Sequence, residues 1–515
     1  MTTSHSKVHT MNINRLGAAL LACFGVCASA QAMHLSHQGS GQALVFPYYT
    51  VNGDNQTLIS IVNSSIEGKA TRLFFREGRN ARIVAELTIY LGPFDVWTGS
   101  VFDFNGGANL VTRDNTCTVP ALKTSTTLPQ LSNGTRYLPF SNAAYTGASD
   151  DSGPNDLARA REGYFELIEM GEVRNTDRNS LDAIIINGVD GIPADCGRIV
   201  RAWDQGGYWR ENPNLDMAPP GGGLYGSAVP INTLFGAQQM LVATAIEAFS
   251  GNVLHSAPGL GQPTLASANT GPGIDTLDVR VFVDGAPLTL TYPVPSQAID
   301  AVSALFMAGE INNEFITGDS VGGASEWIVT MPTKRFYTDV GTGSVIAPFT
   351  SVFPATGTQG NAPELVGFNA WTRDGLLSDC SSFSTNGCII GVPPPLPPST
   401  LNAVTNVMAF NQAADGLESS AILGSNWVFP VDLFDPFDSG KNHEGSFSIR
   451  FATATGATPE PHQLRPDLHG VRLRGLPVIG AWIASYTNTA VTPGVLANYS
   501  DAVQHTVRQE RTPAP

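Results

Sequence analysis

The segment that comes nearest to a catalytic motif is Gly318-Asp319-Ser320-Val321-Gly322. It matches G-x-S-x-G, in which the serine must lie on a tight turn between a strand and a following helix. The hydrophobic pattern around it predicts the reverse order, a helix before the serine and a strand after it. We therefore interpret the segment as a loop at the end of a helix and expect no catalysis at Ser320.

Two acidic residues, Glu166 and Glu169, lie in an apolar segment and suggest the paired carboxylates of a glycoside hydrolase. Residues three apart on a strand point to opposite faces, so these carboxylates converge only with acids from elsewhere in the chain. The pattern favours a solvated strand face. A secreted hydrolase assembled from distant loops stays open as a third hypothesis, because such a site leaves no local spacing.

An acidic cluster around Ser439-Gly440 offers the oxygen ligands that calcium takes. Its spacing does not fit an EF-hand, and a solvated acidic turn is the competing interpretation. The candidate calcium ligands are Asp432, Asp435, Asp438 and Glu444.

Three aromatic residues, Trp203, Tyr208 and Trp209, lie on both sides of Gly206-Gly207. Aromatic rings grouped in this way stack on sugars in many binding modules. The competing interpretation is core packing, with Trp203 covering the end of a sheet near Cys196. The pattern favours the core, and a sugar platform remains the alternative.

Four cysteines remain after a predicted leader is removed, and they allow three disulfide connectivities. Pairing nearest neighbours gives Cys117–Cys196 and Cys380–Cys388. The first bridge closes a loop of about eighty residues, which stabilises by about 4 kcal/mol in the chain-entropy model. Free thiols or metal ligands are the alternative, but no Cys-x-x-Cys spacing supports a metal.

The N-terminus predicts export. Arg15 precedes an apolar run at 16–26, and Ala28-Ser29-Ala30 and Ala30-Gln31-Ala32 are small-x-small cleavage sites. Residues 1–32 are therefore expected to be a signal peptide. A lipoprotein leader with lipidation at Cys23 is the alternative. No second apolar stretch of about 18 residues follows, so we expect no transmembrane helix.

The amino-acid composition further narrows the class of protein and the partners that it can have. The 515 residues include 28 basic and 44 acidic side chains, a formal charge of −16. This acidity argues against nucleic acid or an anionic membrane as the main partner. Charged residues make up only 14% and apolar residues 42%, so a large core is expected.

Alternating hydrophobicity predicts antiparallel strands at a spacing of 10 to 12 residues. Residues 69–76 and 81–91 are typical, and the pattern places Arg72 and Arg76 on the solvent side of the first of them. Short strands at this spacing indicate an all-β protein of sandwich-like sheets.

The expected organisation is two antiparallel β-sandwich-like domains with long loops and two short helices. The N-terminal domain covers 33–250 with a loop insertion at 111–160. A Gly- and Pro-rich linker covers 251–275. The C-terminal domain covers 276–515, and its helix is expected near 296–315; the other helix is expected at 196–203.

Four segments together resemble a family of exported, β-rich proteobacterial proteins with no known activity. They are GQALVFPYYT at 41–50, Asp95-Val96-Trp97-Thr98, Gly223-Leu224-Tyr225-Gly226-Ser227 and WIVTMPTKRFY at 327–337. The resemblance implies export from a Gram-negative cell and gives no catalytic residue to transfer.

The sequence therefore predicts a non-enzymatic protein of the cell surface or extracellular matrix, structural or adhesive, with the periplasm as the second location. Its partners are expected to be itself or a surface polymer or glycan. A carbohydrate- or polymer-binding module is the alternative function.

Overall fold

Antiparallel strands make up most of the protein, and the predicted all-β class is confirmed. The computed structural model describes residues 31–174, 192–318, 322–339, 345–354, 360–375, 399–411, 420–433, 442–451, 462–492 and 495–512. The signal peptide predicted at 1–32, with Cys23, lies outside these residues except for its last two positions.

The described part of the chain before residue 250 contains fifteen strands. They are β1 (His34–Leu35), β2 (Ala43–Thr50), β3 (Asn55–Asn63), β4 (Gly68–Glu77), β5 (Ile83–Leu91), β6 (Val96–Phe104), β7 (Gly107–Val111), β8 (Cys117–Val119), β9 (Leu138–Pro139), β10 (Glu162–Val173), β11 (Met217–Ala218), β12 (Leu224–Asn232), β13 (Ala237–Gln238), β14 (Leu241–Val242) and β15 (Thr244–Glu247).

The second half adds a hairpin and two further large sheets. Its strands are β16 (Thr276–Val283), β17 (Ala286–Pro293), β18 (Met307–Ala308), β19 (Glu310–Ile316), β20 (Gly323–Thr330), β21 (Glu364–Thr372), β22 (Ser399–Leu401), β23 (Thr405–Phe410), β24 (Val428–Val431), β25 (Glu444–Arg450), β26 (Leu473–Arg474), β27 (Leu476–Pro477), β28 (Ile479–Thr492), β29 (Val495–Gln504), β30 (Thr506–Arg508) and β31 (Glu510–Arg511). The α-helices of the described chain are α1 (Cys196–Arg201), α2 (Ala298–Phe306) and α3 (Arg335–Thr338).

Helix α2 is shorter than the helix predicted near 296–315. It ends at Phe306, and the chain then forms β18 and β19. Ile311 and Phe315 fit either a helical or a strand period. Gly309 and the two asparagines at 312–313 are poor helix formers, and β19 pairs with β25 along its whole length. The backbone pairing therefore decides the conformation.

The first sandwich consists of two sheets. Sheet I has the strand order β1-β15-β2-β10-β4-β5-β8, with β11 beside β10. Sheet II has the order β13-β12-β3-β6-β7-β9, with β14 beside β12. Apolar side chains from both sheets fill the space between them, including Leu73 and Phe165 from sheet I and Trp97 and Val101 from sheet II, all fully buried.

The second sandwich is built in the same way. Sheet III has the order β22-β21-β25-β19-β30, and sheet IV has the order β24-β23-β20-β28-β29, in which only β24 runs parallel to its neighbour. Their core is aromatic: Phe315 of sheet III stacks on Phe410 of sheet IV with 5.4 Å between ring centroids, and Trp327 packs edge-on against Phe447.

Residues 32–515 form one compact unit. The segment 251–275, predicted as a linker from its composition, packs on sheet I. Leu265 and Ala268 are buried in the same hydrophobic cluster as Ile168 of β10. The backbone carbonyl of Ser256 accepts a hydrogen bond of 2.7 Å from Arg72 of β4.

Sheet I is therefore covered on both faces, and this overturns the predicted solvent position of Arg72 and Arg76. Every residue of β4 is buried. Arg72 pairs with Glu86, and the Nε of Arg76 donates to Glu166 at 2.8 Å. The prediction failed because alternation shows which residues share a face, not whether that face meets water.

The two acids of β10 are likewise buried rather than solvated. Glu166 pairs with Arg76, and Glu169 accepts from Lys69 Nζ at 3.0 Å and from the backbone N–H groups of Gly221 and Gly222. Burial raises the pKa of Glu169 above its ordinary value. The two carboxylates have separate cationic partners, so they are structural ion pairs and not a catalytic pair.

A third buried network ties the 111–160 insertion to the end of sheet I. Arg159 is fully buried and contacts two carboxylates, donating to Glu77 at 2.9 Å and to Asp151 at 2.6 Å. Burial alone would raise the pKa of Asp151, but the hydrogen bonds and charge of Arg159 hold it below its ordinary value. The insertion is thus fixed by a charge network.

Candidate functional site

The outer face of sheet II is open along three neighbouring strands, β3, β6 and β12. Along these strands the outward residues are exposed or half-buried. The pairing register places a row of three hydroxyl groups between two rows that contain aliphatic side chains. The rows are Tyr225, Val62 and Val96; Ser227, Ser60 and Thr98; and Val229, Leu58 and Ser100.

This face carries no formal charge on its floor. The outward residues from Gln56 to Val62, from Val96 to Phe102 and from Tyr225 to Ile231 are all uncharged at neutral pH. Leu58, Val96 and Tyr225 are 41%, 42% and 45% exposed. In a chain with 28 basic and 44 acidic side chains, a contiguous uncharged face with exposed apolar groups marks an interaction surface.

Small residues on the inner side of the same strands hold this face in place. Gly99 lies under the indole of Trp97, and a Cβ at position 99 would come within 2.5 Å of that ring. The ring fills the space between the two sheets and is fully buried. The floor is therefore supported by a rigid core.

A loop turns the face into a groove of about 550 Å³. Leu131, Asn133 and Thr135 form its wall, at a turn closed by bonds from Gly134 N to Leu131 O and from Leu131 N to Thr135 O. Gly134 has φ 84°, a left-handed conformation that glycine adopts without strain. The volume lies within the range of about 300–1,000 Å³ for ligand sites.

Charges occur only at the rim of the groove. Arg113 lines one end, and the neighbouring Asp114 accepts hydrogen bonds from the backbone N–H and the hydroxyl of Thr98, at 3.3 and 3.5 Å. No acidic residue is among the described residues that line the groove. The groove can offer neutral donors and acceptors, aliphatic surface and one guanidinium, which suits binding rather than acid–base catalysis.

The three aromatic residues proposed as a sugar platform lie elsewhere, on the second face of sheet I. Trp209 is fully buried, Trp203 is 9% exposed, and only Tyr208 is well exposed, at 39%. Trp209 stacks on Tyr90 of β5 with 5.3 Å between the ring centroids. The two indoles are therefore core, and a sugar cannot stack on them.

The polar atoms of this aromatic cluster are paired with one another. Trp203 Nε1 donates to the hydroxyl of Tyr90, which lies 3.1 Å from His255 Nε2, and His255 Nδ1 lies 2.6 Å from the carbonyl of Pro213. Burial lowers the pKa of His255 to about 3. The cluster is a satisfied, neutral cover over the sheet.

The predicted disulfide between Cys117 and Cys196 is confirmed; it joins β8 to the start of α1 across 79 positions. The second predicted bridge, Cys380–Cys388, lies outside the described residues, as does Ser320.

The predicted calcium loop is only partly described. Asp435 and Asp438 lie outside the described residues. Glu444 begins β25 and pairs with Arg373 at 2.8 Å, and Asp432 follows β24. Within the described residues, no cluster of three or more histidine, cysteine or acidic side chains is arranged to hold a metal. Calcium binding stays a prediction.

The sequence pattern did not predict the groove on sheet II, because its only signal is the lack of charged residues at the outward positions of three strands. Each strand alone is an ordinary alternating segment, and only the register brings Ser227, Ser60 and Thr98 into one row. A search for outward strand positions without charge would have found β3, β6 and β12, which are far apart in the sequence.

The fold and the groove together define an all-β, disulfide-containing protein with a groove of uncharged floor on one face. Comparison with protein-family models, with curated protein sequences and with solved structures gives no match to this chain. Among the described residues, no helix has the length and apolar character needed to cross a bilayer. The function has to be inferred from the residues themselves.

Proposed function

We propose that this protein is an exported, non-enzymatic adhesive protein that binds a neutral polysaccharide in the groove of sheet II. The observation that carries the proposal is the open, uncharged floor formed by β3, β6 and β12. A neutral sugar polymer offers hydroxyl groups along its edges and C–H groups on its ring faces. The hydroxyl row and the aliphatic rows beside it complement both.

The charge pattern separates this partner from others. A polyanion would be held by several basic side chains, but among the described residues that line the groove only Arg113 is basic. A protein partner with charged hot spots would meet no opposite charge on the floor. A neutral, extended polymer satisfies the floor without burying an unpaired charge, which would be costly.

Export supports this function and is part of the proposal. The Cys117–Cys196 disulfide fits an oxidising compartment. Sequencing the N-terminus of the protein recovered from outside the cytoplasm tests the location. We expect a start at Gln31 or Met33, and an intact Met1 or Met11 on all of the protein would overturn export.

The binding test is native affinity electrophoresis in gels that contain soluble dextran, galactomannan, xyloglucan or, as an anionic control, alginate. We expect at least one neutral polymer to retard the protein. Ser227→Glu puts a charge at one end of the hydroxyl row and should weaken retardation at least about tenfold, because the carboxylate would be desolvated by the bound polymer.

The matched control is Ser132→Glu, which makes the same change on an exposed loop position that does not line the groove. It should bind like the wild type. The proposal is wrong if no neutral polymer retards the protein, or if both glutamate variants bind equally well.

A second candidate, a structural protein that assembles by strand addition, has one observation in its favour. Seven of the eight edge strands of sheets I to IV are two to four residues long, whereas the eighth, β29, has ten residues. Long edges recruit further strands. Two side chains already occupy this edge, however: Asp501 accepts from the N–H of Ala502, and Asn313 donates to Val503 O.

Light scattering of the gently released native protein separates the two candidates. A monomer that binds polymer supports adhesion through the groove. A large homopolymer that dissociates when Ser500→Pro is introduced into β29 would favour assembly instead.

A further inference from the structure

A second cavity, whose lining residues differ from those of the groove, lies between the N-terminal segment, helix α2 and strands β16 and β28. Its volume is about 450 Å³. Its walls are apolar and buried: Val281 and Val478 are 3% exposed, Leu305 and Phe306 are 2% exposed, and Ile311 is 1% exposed. These side chains come from three different elements, so the cavity is a product of the fold and not of one loop.

Two polar side chains that line the cavity, His505 and Gln509, are already bonded to the protein. His505 places Nε2 at 3.0 Å from the carbonyl of Ile328 and Nδ1 at 3.3 Å from the amide of Asn313. The side chain of Gln509 accepts from Phe282 N and donates toward the carbonyls of Ala304 and Leu305. The interior can therefore recognise apolar shape, and it offers little to a sugar or another polar ligand.

The mouth of the cavity has a different character. Arg280 is exposed there, and no carboxylate of the described residues forms an ion pair with it. The nearby Glu247 is already engaged by His34 Nε2 at 3.3 Å and by the Ser36 hydroxyl at 2.7 Å. The mouth thus presents one unpaired guanidinium in a chain of net charge −16.

Exposed apolar side chains line the same cavity as this guanidinium. Phe282 and Val242 are 48% exposed and Val507 is 45% exposed, and all three line the cavity. An apolar ligand that entered past them would bury part of their surface as well as the inner walls. Such burial is the main source of affinity for an apolar chain.

We propose that this cavity binds the single acyl chain of a free fatty acid, with its carboxylate at Arg280. The buried walls take the hydrocarbon, His505 and Gln509 are already bonded to the protein, and the guanidinium, which pairs with no described carboxylate, complements an anionic head. This site shares no residue with the groove of sheet II, so either proposal can fail while the other stands.

The test is calorimetric titration of the full-length mature protein with octanoate, decanoate, dodecanoate and tetradecanoate, each below its critical micelle concentration. Burial of one methylene contributes enough to tighten binding about fourfold. We therefore expect the dissociation constant to fall about fourfold per methylene until the cavity is full, and then to level off. Absence of saturable binding at every chain length, or a constant affinity along the series, would overturn the proposal.

Two variants test the head and the tail separately. Arg280→Gln should weaken dodecanoate binding up to about fivefold, as expected for an exposed ion pair, and leave dodecanol binding unchanged. Arg113→Gln removes the same charge from the other site and should change neither. Val281→Phe should fill part of the cavity and move the plateau to a shorter chain. Equal loss of acid and alcohol binding in Arg280→Gln would place the head elsewhere and overturn the assignment.

Discussion

Sheets I and II belong to the same sandwich but distribute their charges in opposite ways. Sheet I has charged side chains on a face that is fully covered, where Arg72 and Arg76 pair with Glu86 and Glu166. Sheet II has an outer face open to solvent, and β3, β6 and β12 carry no charge there. In this sandwich the covered face of sheet I has charged side chains, whereas the solvent-exposed outer face of β3, β6 and β12 has none.

The segments that cover sheet I explain why its charged side chains are buried and paired. The segment 251–275, the aromatic cluster of Trp203 and Trp209 and the 111–160 insertion close the second face of sheet I. Any charge left there must be paired and hydrogen-bonded, and the structure shows this for Glu166 and Glu169. In the described part of the chain no cover of this kind lies over the outer face of β3, β6 and β12, and the proposed polymer partner would account for the lack of charge there.

The largest expected effect comes from breaking a buried network at sheet I. Arg159→Met would leave Glu77 and Asp151 buried without their shared cation and should lower the free energy of unfolding by about 3–5 kcal/mol. Guanidinium unfolding curves measure this. The control is Arg201→Met, whose partner Asp195 is half-exposed, and which should cost under about 1 kcal/mol. A similar small loss for both variants would mean that the buried network does not anchor the insertion.

The neutral cover over sheet I should make the protein sensitive to acid. Burial lowers the pKa of His255 to about 3, whereas the unfolded chain protonates it near 6.5. The free energy of unfolding therefore falls as the pH drops through this interval, because the unfolded state takes up the proton first.

Lowering the pH from about 7 to about 4 should reduce the free energy of unfolding by about 3 kcal/mol through protonation of His255 alone. His255→Gln should lack that part of the acid dependence, and His37→Gln, at an exposed position, should keep it. Parallel acid curves for the wild type and His255→Gln would contradict the assignment.

The buried cation Lys334 donates to backbone carbonyls, and it can be compared with the cations of sheet I, which pair with carboxylates. Lys334 is 1% exposed and donates to the carbonyl of Ala362 at 2.6 Å, and burial lowers its pKa to about 8 from an ordinary value of 10.5. The folded protein loses this proton before the unfolded chain does, so stability should rise with pH between these two values.

From about pH 7 to about pH 9.5 the wild type should gain about 2 kcal/mol relative to Lys334→Met. Lys123→Met, at an exposed position, should show no such relative change. A gain that is absent, or of opposite sign, would mean that Lys334 has a better partner than the carbonyls of Ala362 and Ala403.

The sequence predicted the strands, the all-β class and the Cys117–Cys196 bridge because these depend on local alternation and on cysteine order. The prediction of solvent exposure failed where burial depends on segments distant in the sequence. Arg72, Arg76, Glu166 and Glu169 have the alternation of solvated residues, but such segments cover them. The sequence pattern also extended a helix through 307–315, where pairing with β25 prevails. The groove could not be predicted because the register of three remote strands creates it.

The smallest expected effect tests whether the neutral face of sheet II is needed for folding. Ser60→Lys places a charge in the hydroxyl row, where the side chain is half-exposed and a long lysine can reach water. We expect the free energy of unfolding to change by less than about 0.5 kcal/mol, as at ordinary surface positions. Thermal and guanidinium unfolding measure it.

A loss above about 2 kcal/mol would show that packing alone excludes charge from this face, and the contrast with sheet I would then no longer point to a partner. If Ser60→Lys changes the free energy of unfolding only slightly but abolishes retardation by the polymer, the neutral face serves binding, because folding tolerates the charge and binding does not.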